Sequence, residues 1–131
     1  MNPLIFVYGT LRHDAGNEMG RMLARYAEFV DAATFQGKLY KIDGYPGVVP
    51  TDNPSDIVKG EIYCLSDPEI GLTYLDEYEE CSPGFTEPTE YIRTLHAVKR
   101  NNGEIIQAWV YVYNRPTDPL EWVQSGDYLK G

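Results

Sequence analysis

The chain has 131 residues and a formal net charge of −9 at pH 7. Hydrophobic residues make up 43% and charged residues 24%, ordinary values for a globular protein that argue against disorder. The length suffices for one core without metals or disulfides, so we expect a single domain over residues 1–131. The acidic charge disfavours nucleic acid and anionic membranes as partners.

The N-terminal residues and the cysteines predict a cytoplasmic protein with reduced thiols. Met1 and Asn2 lead into an apolar run that lacks a basic start and is too short for a signal peptide or a membrane span. In a reducing compartment Cys64 and Cys81 are expected to be free. A helix of about 13 residues between them would hold them about 20 Å apart, beyond the reach of a disulfide.

The first half of the chain predicts strands around one helix. Residues 4–8 are β-branched and aromatic and predict a buried strand that ends at Gly9. Apolar residues then recur at helical spacing from an Asn17 cap to Tyr26, which predicts a first amphipathic helix. Residues 31–42, 48–50 and 57–65 are strand-like, with a tight turn at residues 43–47.

A second helix is predicted over residues 67–80. Ser66 followed by Glu69 is typical of a capping box, and Pro68 suits the first turn. One face of this helix carries four apolar residues and is predicted to pack on the core: Ile70, Tyr74, Leu75 and Tyr78.

The second half of the chain completes the predicted fold. Residues 90–100 and 104–113 form two strand-like runs joined by Asn101-Asn102-Gly103, a hairpin signal. The second run is apolar on both faces, as in a strand covered on both sides. We therefore predict an α+β fold, a small mostly antiparallel β-barrel with two flanking α-helices, and a tail that wraps the surface.

The loop after the first strand is one candidate site. A strand that ends in glycine and turns sharply can direct successive backbone N–H groups into one concavity that holds a carboxylate or an oxyanion. An ordinary strand-to-loop turn has the same pattern and is the alternative interpretation. The candidate binding residues of this loop are Tyr8, Gly9, Thr10 and Leu11.

Glu79, near the end of the second helix, is the candidate catalytic residue. It lies four residues beyond Leu75 and so next to the apolar stripe. Asp76, Glu77 and Glu80 are expected further around, toward solvent. A partly desolvated carboxyl among negative neighbours has a raised pKa, which suits acid/base catalysis near neutrality. The alternative is a solvated, charged helix end without a catalytic role.

Other chemistries have little support in the sequence. His13, His96 and the two cysteines lack the spacing of a metal site, so no metal is expected. None of its serines lies in a nucleophile elbow, and it has no glycine-rich nucleotide-binding motif, so no nucleotide cofactor is implied.

Three segments, taken in order, resemble the γ-glutamyl cyclotransferase superfamily, especially its short, AIG2-like members akin to γ-glutamylamine cyclotransferase. They are VYGTLR at residues 7–12, LDEYE at residues 75–79 and YIR at residues 91–93. The turn at residues 44–46 and the run at residues 110–113 are also similar to that family.

The resemblance implies a compact barrel with flanking helices, no cofactor, and a cavity at one mouth. It implies that backbone amides of residues 8–11 hold a γ-glutamyl group and that Glu79 transfers protons. The chain is then expected to be a transferase or lyase that releases 5-oxoproline and a free amine from a small γ-glutamyl amide. Two alternatives stay open: a non-catalytic module that binds a small acidic metabolite, and a hydrolase or amidotransferase acting on γ-glutamyl groups.

Overall fold

The computed structural model describes residues 2–9, 25–42, 45–79 and 89–128. Helix α1 (Pro68–Tyr78) lies between the fourth and fifth strands of this part of the chain. The strands are β1 (Leu4–Val7), β2 (Ala27–Lys41), β3 (Pro46–Pro50), β4 (Ile57–Leu65), β5 (Tyr91–Arg100), β6 (Ile105–Tyr113) and β7 (Glu121–Trp122). Within the described ranges, no helix is long and apolar enough to span a membrane.

The strands form one sheet that closes on itself. Neighbours in the order β1-β4-β2-β3-β6-β5 are hydrogen-bonded, and further pairings of β1 with β6 and of β2 with β5 close the ring. The pairings of β6 with β1 and with β3 are parallel, whereas β1 with β4 and β5 with β6 are antiparallel. The fold is therefore barrel-like with a mixed sheet, a feature that the prediction of a mostly antiparallel barrel lacked.

Two hydrophobic cores lie on opposite faces of this sheet. Side chains in β1 alternate between them, because successive residues of a strand point to opposite faces. Phe6 and Tyr8 belong to the core inside the barrel, while Ile5 and Val7 belong to the core that the sheet shares with α1. Tyr8, the residue after β1, therefore has its side chain buried inside the barrel.

Strand β6 contributes to both cores. Val110, Tyr111 and Val112 are buried in succession. The two valines face the barrel interior, and Tyr111 faces the layer under α1. This confirms the prediction of a strand covered on both faces.

The predicted packing face of α1 is wrong for Ile70 and Tyr74, and it is confirmed for Leu75. Ile70 and Tyr74 are 69% and 49% exposed, whereas Leu72 and Leu75 are buried against the sheet. Ile70 and Tyr74 each lie two positions from Leu72, which is about 200° around a helix, so the two rows cannot face the sheet together. The side chain of Tyr78 lies outside the described part of the chain.

The start of α1 also differs from the prediction. The side chain of Asp67, rather than that of Ser66, caps the helix, since its Oδ1 accepts a hydrogen bond from Ile70 N at 3.2 Å. Pro68 then occupies the first helical position, where its missing N–H costs nothing.

The predicted hairpin after β5 is confirmed. Gly103 has a φ of 92°, a left-handed conformation that glycine adopts without strain. Its N–H donates to Arg100 O at 2.9 Å, and β5 pairs with β6 from Tyr91↔Tyr113 to Lys99↔Ile105.

Strand β2 begins at Ala27, four residues before its predicted start, with a bulge between Phe29 and Asp31 where it pairs with β4. The C-terminal segment was predicted to wrap the surface, but part of it belongs to the fold. Strand β7 pairs with β2, and Val123 is buried in the barrel core.

Two sequence predictions fall largely outside the described residues. Of the predicted first helix, only Arg25 and Tyr26 are described, and both are helical. Cys64 is a half-buried free thiol, and Cys81 lies outside.

Candidate active site

Glu79 extends the last turn of α1. Its N–H donates to Leu75 O at 2.8 Å, so the helical hydrogen-bond pattern continues through it. It follows the buried residues Leu72 and Leu75 by seven and four positions, which directs its side chain toward the sheet. The side chain is partly buried there.

The surroundings of Glu79 favour the protonated carboxyl. Burial raises its pKa from 4.5 to about 7, and the charge of Glu90 acts in the same direction. Both protonation states are therefore populated near neutral pH, so this group can accept a proton and return it.

Tyr8 lies close to Glu79. Its hydroxyl donates to Tyr111 O at 2.6 Å. Burial raises the pKa of Tyr8, the charge of Glu79 raises it further, and a backbone hydrogen bond from Val48 opposes the shift. The structure thus brings together two residues that the sequence singled out in separate segments, and it keeps the phenol neutral.

Gly9 lies against the start of β3. A Cβ at this position would approach Pro46 Cγ to 2.5 Å and Pro46 Cδ to 3.2 Å. The glycine is therefore required by this close contact, and its φ is outside the left-handed region. Thr10 and Leu11, the other predicted loop residues, lie outside the described part of the chain.

Tyr91 forms another wall of the site. Its hydroxyl donates to the carbonyl of Pro46, the residue that Gly9 contacts. Burial raises the pKa of Tyr91, and the neighbouring Tyr8, Glu79 and Glu90 add to the shift. Sequence reasoning gave this tyrosine no role at the site, although it opens the YIR segment.

Glu90 is a second carboxylate that sequence reasoning missed. It directly precedes β5, and its Oε2 accepts a hydrogen bond from the hydroxyl of Tyr45 at 2.7 Å. Arg115 Nη1 lies 3.8 Å from the same oxygen. Among the described residues, no group of three or more His, Cys, Asp or Glu side chains is arranged to hold a metal ion.

Asp76 was expected to face solvent, but its side chain contacts the sheet. Its carboxylate accepts hydrogen bonds from Arg93 Nε at 2.7 Å, Arg93 Nη2 at 3.0 Å and the hydroxyl of Tyr111 at 2.7 Å. Its side chain is only 18% exposed. Asp76 follows the buried Leu75, at the edge of the inward face, where β5 and β6 bring donors that local spacing could not reveal.

Comparison with known proteins places this chain in one family. The family described as γ-glutamyl cyclotransferase, AIG2-like matches residues 5–130. The chain is 36% identical over 125 residues to the γ-glutamylcyclotransferase family protein YtfP of Escherichia coli K12, covering 95% of each sequence. It is 29% identical over 140 residues to human γ-glutamylaminecyclotransferase, covering 92% of this chain and 84% of the human one.

A solved structure agrees with the sequence comparison. The crystal structure of an AIG2-like protein from Mus musculus superimposes with a TM-score of 0.74 at 25% identity, over 96% of this chain and 87% of that one. The chain belongs to the AIG2-like γ-glutamyl cyclotransferase family.

Proposed function

We propose that this protein cyclises the γ-glutamyl group of a small γ-glutamyl amide and releases 5-oxoproline and a free amine, with Glu79 as general acid/base. The observation that carries the proposal is the partly buried Glu79, whose pKa lies at about 7 beside the neutral phenol of Tyr8. Membership of the family supports the reaction class.

The reaction needs proton transfer more than it needs a nucleophile from the protein. The substrate's own α-nitrogen attacks its γ-carbonyl carbon, which forms the ring C–N bond, and the bond to the departing nitrogen then breaks. When both amines are ammonium ions in water, the attacking nitrogen loses two protons per turnover and the departing nitrogen gains two. Glu79 relays these protons and ends in its starting state.

The fold supplies positioning and charge stabilisation. Closure of a five-membered ring is intramolecular, so holding the substrate in its folded conformation provides much of the acceleration. The backbone amides of residues 8–11 are proposed to hold substrate oxygen atoms, as oxyanion donors do. No cofactor takes part in this proposal.

The decisive experiment is an assay of 5-oxoproline release from a panel of γ-glutamyl amides, by the wild type and by Glu79→Gln. The variant keeps the side-chain volume and loses the exchangeable proton, so we expect turnover to fall by about 10²-fold or more. Affinity for a non-reactive γ-glutamyl analogue should change little. Glu28→Gln, which alters an exposed carboxylate on β2, is the matched control and should retain turnover.

Each other outcome contradicts a different part of the proposal. Release of glutamate in place of 5-oxoproline identifies a hydrolase. Binding of the analogue by a wild type that turns over no amide identifies a binding module. A Glu79→Gln variant with normal 5-oxoproline production shows that another group moves the protons.

A further inference from the structure

The end of helix α1 is tied to the sheet through Asp76. Three hydrogen bonds converge on this carboxylate, two from the guanidinium of Arg93 and one from the hydroxyl of Tyr111. Arg93 and Tyr111 are directly opposite each other in the β5–β6 ladder. Both sets of donors therefore come from one rigid pair of hydrogen-bonded strands.

The side chain of Arg93 is itself held in place by an aromatic ring. Its guanidinium lies over the ring of Trp109, 4.3 Å from the centroid. The indole Nε1 donates in turn to Asn2 O at 2.9 Å, next to the start of β1. Contacts of this kind restrict the guanidinium to one orientation, so Asp76 meets a fixed pair of donors.

Tyr111 connects the helix to the other side of the site. Its hydroxyl binds Asp76, while its backbone carbonyl accepts the hydrogen bond of Tyr8 at 2.6 Å. One residue of β6 thus contacts both the helix turn that carries Glu79 and the phenol next to Glu79.

Asp76 and Glu79 are three positions apart, so they are neighbours on the helix surface. A helix end fastened at Asp76 cannot rotate about its axis or lift from the sheet without moving Glu79. A displacement of about 1 Å in a catalytic group can cost two orders of magnitude in rate.

We propose that Arg93, together with the hydroxyl of Tyr111, is a positioning residue for Glu79: by binding Asp76 it fixes the rotation and height of the last turn of α1, so that the Glu79 carboxyl faces Tyr8. The catalytic consequence of this clamp rests on the proposed function of Glu79. The geometric consequence, which is how deeply the Glu79 side chain is buried against the sheet, does not depend on that function.

The first test compares Arg93→Lys with Tyr111→Phe. Lysine keeps the charge but not the planar two-point contact, and arginine and lysine are not interchangeable at such sites. Phenylalanine removes one hydroxyl and leaves the carbonyl that binds Tyr8. We expect kcat for 5-oxoproline release to fall by about 10-fold or more in both, with KM changed by less than about 3-fold.

Arg100→Lys is the matched control. Arg100 lies at the far end of β5, where it pairs with Asp31 at 3.3 Å and Glu104 at 2.9 Å. This variant makes the same substitution at another arginine of the same strand that contacts carboxylates, and it should keep the kcat of the wild type. Thermal melting of all three variants separates a general loss of stability from a change at the site.

The second test measures the titration of Glu79 itself by carbon-detected NMR, with its resonance assigned from Glu79→Gln. Within the described part of the chain, the titratable groups that interact with the charge of Glu79 are Tyr8, which follows β1, Glu90, which precedes β5, and Tyr91, the first residue of β5. Burial is the main cause of its raised pKa. A helix end that lifts from the sheet therefore lets water reach Glu79, and its pKa should fall from about 7 toward 4.5 in Arg93→Lys and Tyr111→Phe.

The outcomes separate this proposal from the proposed function. If the pKa of Glu79 is unchanged in both variants, Arg93 and Tyr111 do not position Glu79, whatever happens to the stability of the protein. An unchanged kcat in both variants, in an enzyme shown to release 5-oxoproline, overturns it as well. A wild type that releases no 5-oxoproline contradicts the proposed function alone, because the titration requires no turnover.

Discussion

Glu79 makes the stability of the protein depend on pH in an unusual direction. The folded-state pKa, about 7, lies above the ordinary value of 4.5. Between these values the folded protein binds more protons than the unfolded chain, so stability falls as pH rises through this window. Allowing for partial solvent exposure, the loss is on the order of 2 kcal/mol by pH 8.

Replacing this carboxyl should remove the effect. We expect Glu79→Gln to gain stability over the wild type, by about 2 kcal/mol, as pH rises from about 5 to 8. Urea denaturation of both proteins at the two pH values measures the gain. A constant difference between them at pH 5 and pH 8 would show that the environment does not raise the pKa of Glu79.

Gly9 provides a second test at the scale of one residue. In Gly9→Ala the new Cβ would meet Pro46 Cγ at 2.5 Å, so we expect a loss of about 1–3 kcal/mol through overpacking. Pro46→Ala removes the clashing atom and keeps the carbonyl that Tyr91 binds. In a double-mutant cycle the two changes together should cost less than their sum. Additive losses would mean that the Pro46 ring is not what excludes a side chain at position 9.

The sequence could predict the direction of the Glu79 side chain but not the residues around it. Its spacing from Leu75 is local, and helical geometry converts that spacing into a direction. The contacts of Asp76 with Arg93 and Tyr111 span 17 and 35 residues, and that of Tyr45 with Glu90 spans 45. Such pairs depend on which strands lie side by side. For this reason Asp76 was expected in solvent and Glu90 was not singled out.

At the scale of elements, the side chain of Asp67 caps the N-terminus of α1. The carboxylate accepts the N–H of Ile70, one of the amides that a helix leaves without an internal partner. Asp67→Ala should therefore cost about 1 kcal/mol of stability. Ser66→Ala is the control, since the capping-box pattern pointed to that serine, and it should cost much less. Chemical denaturation measures both, and equal losses would contradict Asp67 as the cap.

The elements themselves were easier to predict than their faces. Strands β4, β5 and β6 lie within one residue of the predicted ranges, because β-branched runs and the Asn-Gly turn are local signals. Helix α1 has apolar residues on two faces, and its sequence does not say which one the sheet covers. The sheet covers the face with Leu72 and Leu75, and Glu79 lies on the same face.

At the scale of the whole molecule, closure of the sheet depends on pairings that no local pattern encodes. The parallel contacts of β6 with β1 and β3 join strands that are far apart in the chain. The hydrophobic pattern indicated a strand buried on both sides and hence a barrel. It did not indicate which neighbours that strand would have.

The hydrogen bond from the Tyr8 hydroxyl to Tyr111 O spans 103 residues of sequence. Strand β2 pairs with β3 and with β4 within residues 27–65, so these three strands can assemble while the protein is still being synthesised. Strand β1 is synthesised before the other described strands, but its neighbour β6 is synthesised only after β5. Bringing such distant segments together is entropically slow. We therefore expect the hydrogen bond between Tyr8 and Tyr111 to form late in folding, and a chain that ends before β6 lacks the acceptor that holds the Tyr8 hydroxyl.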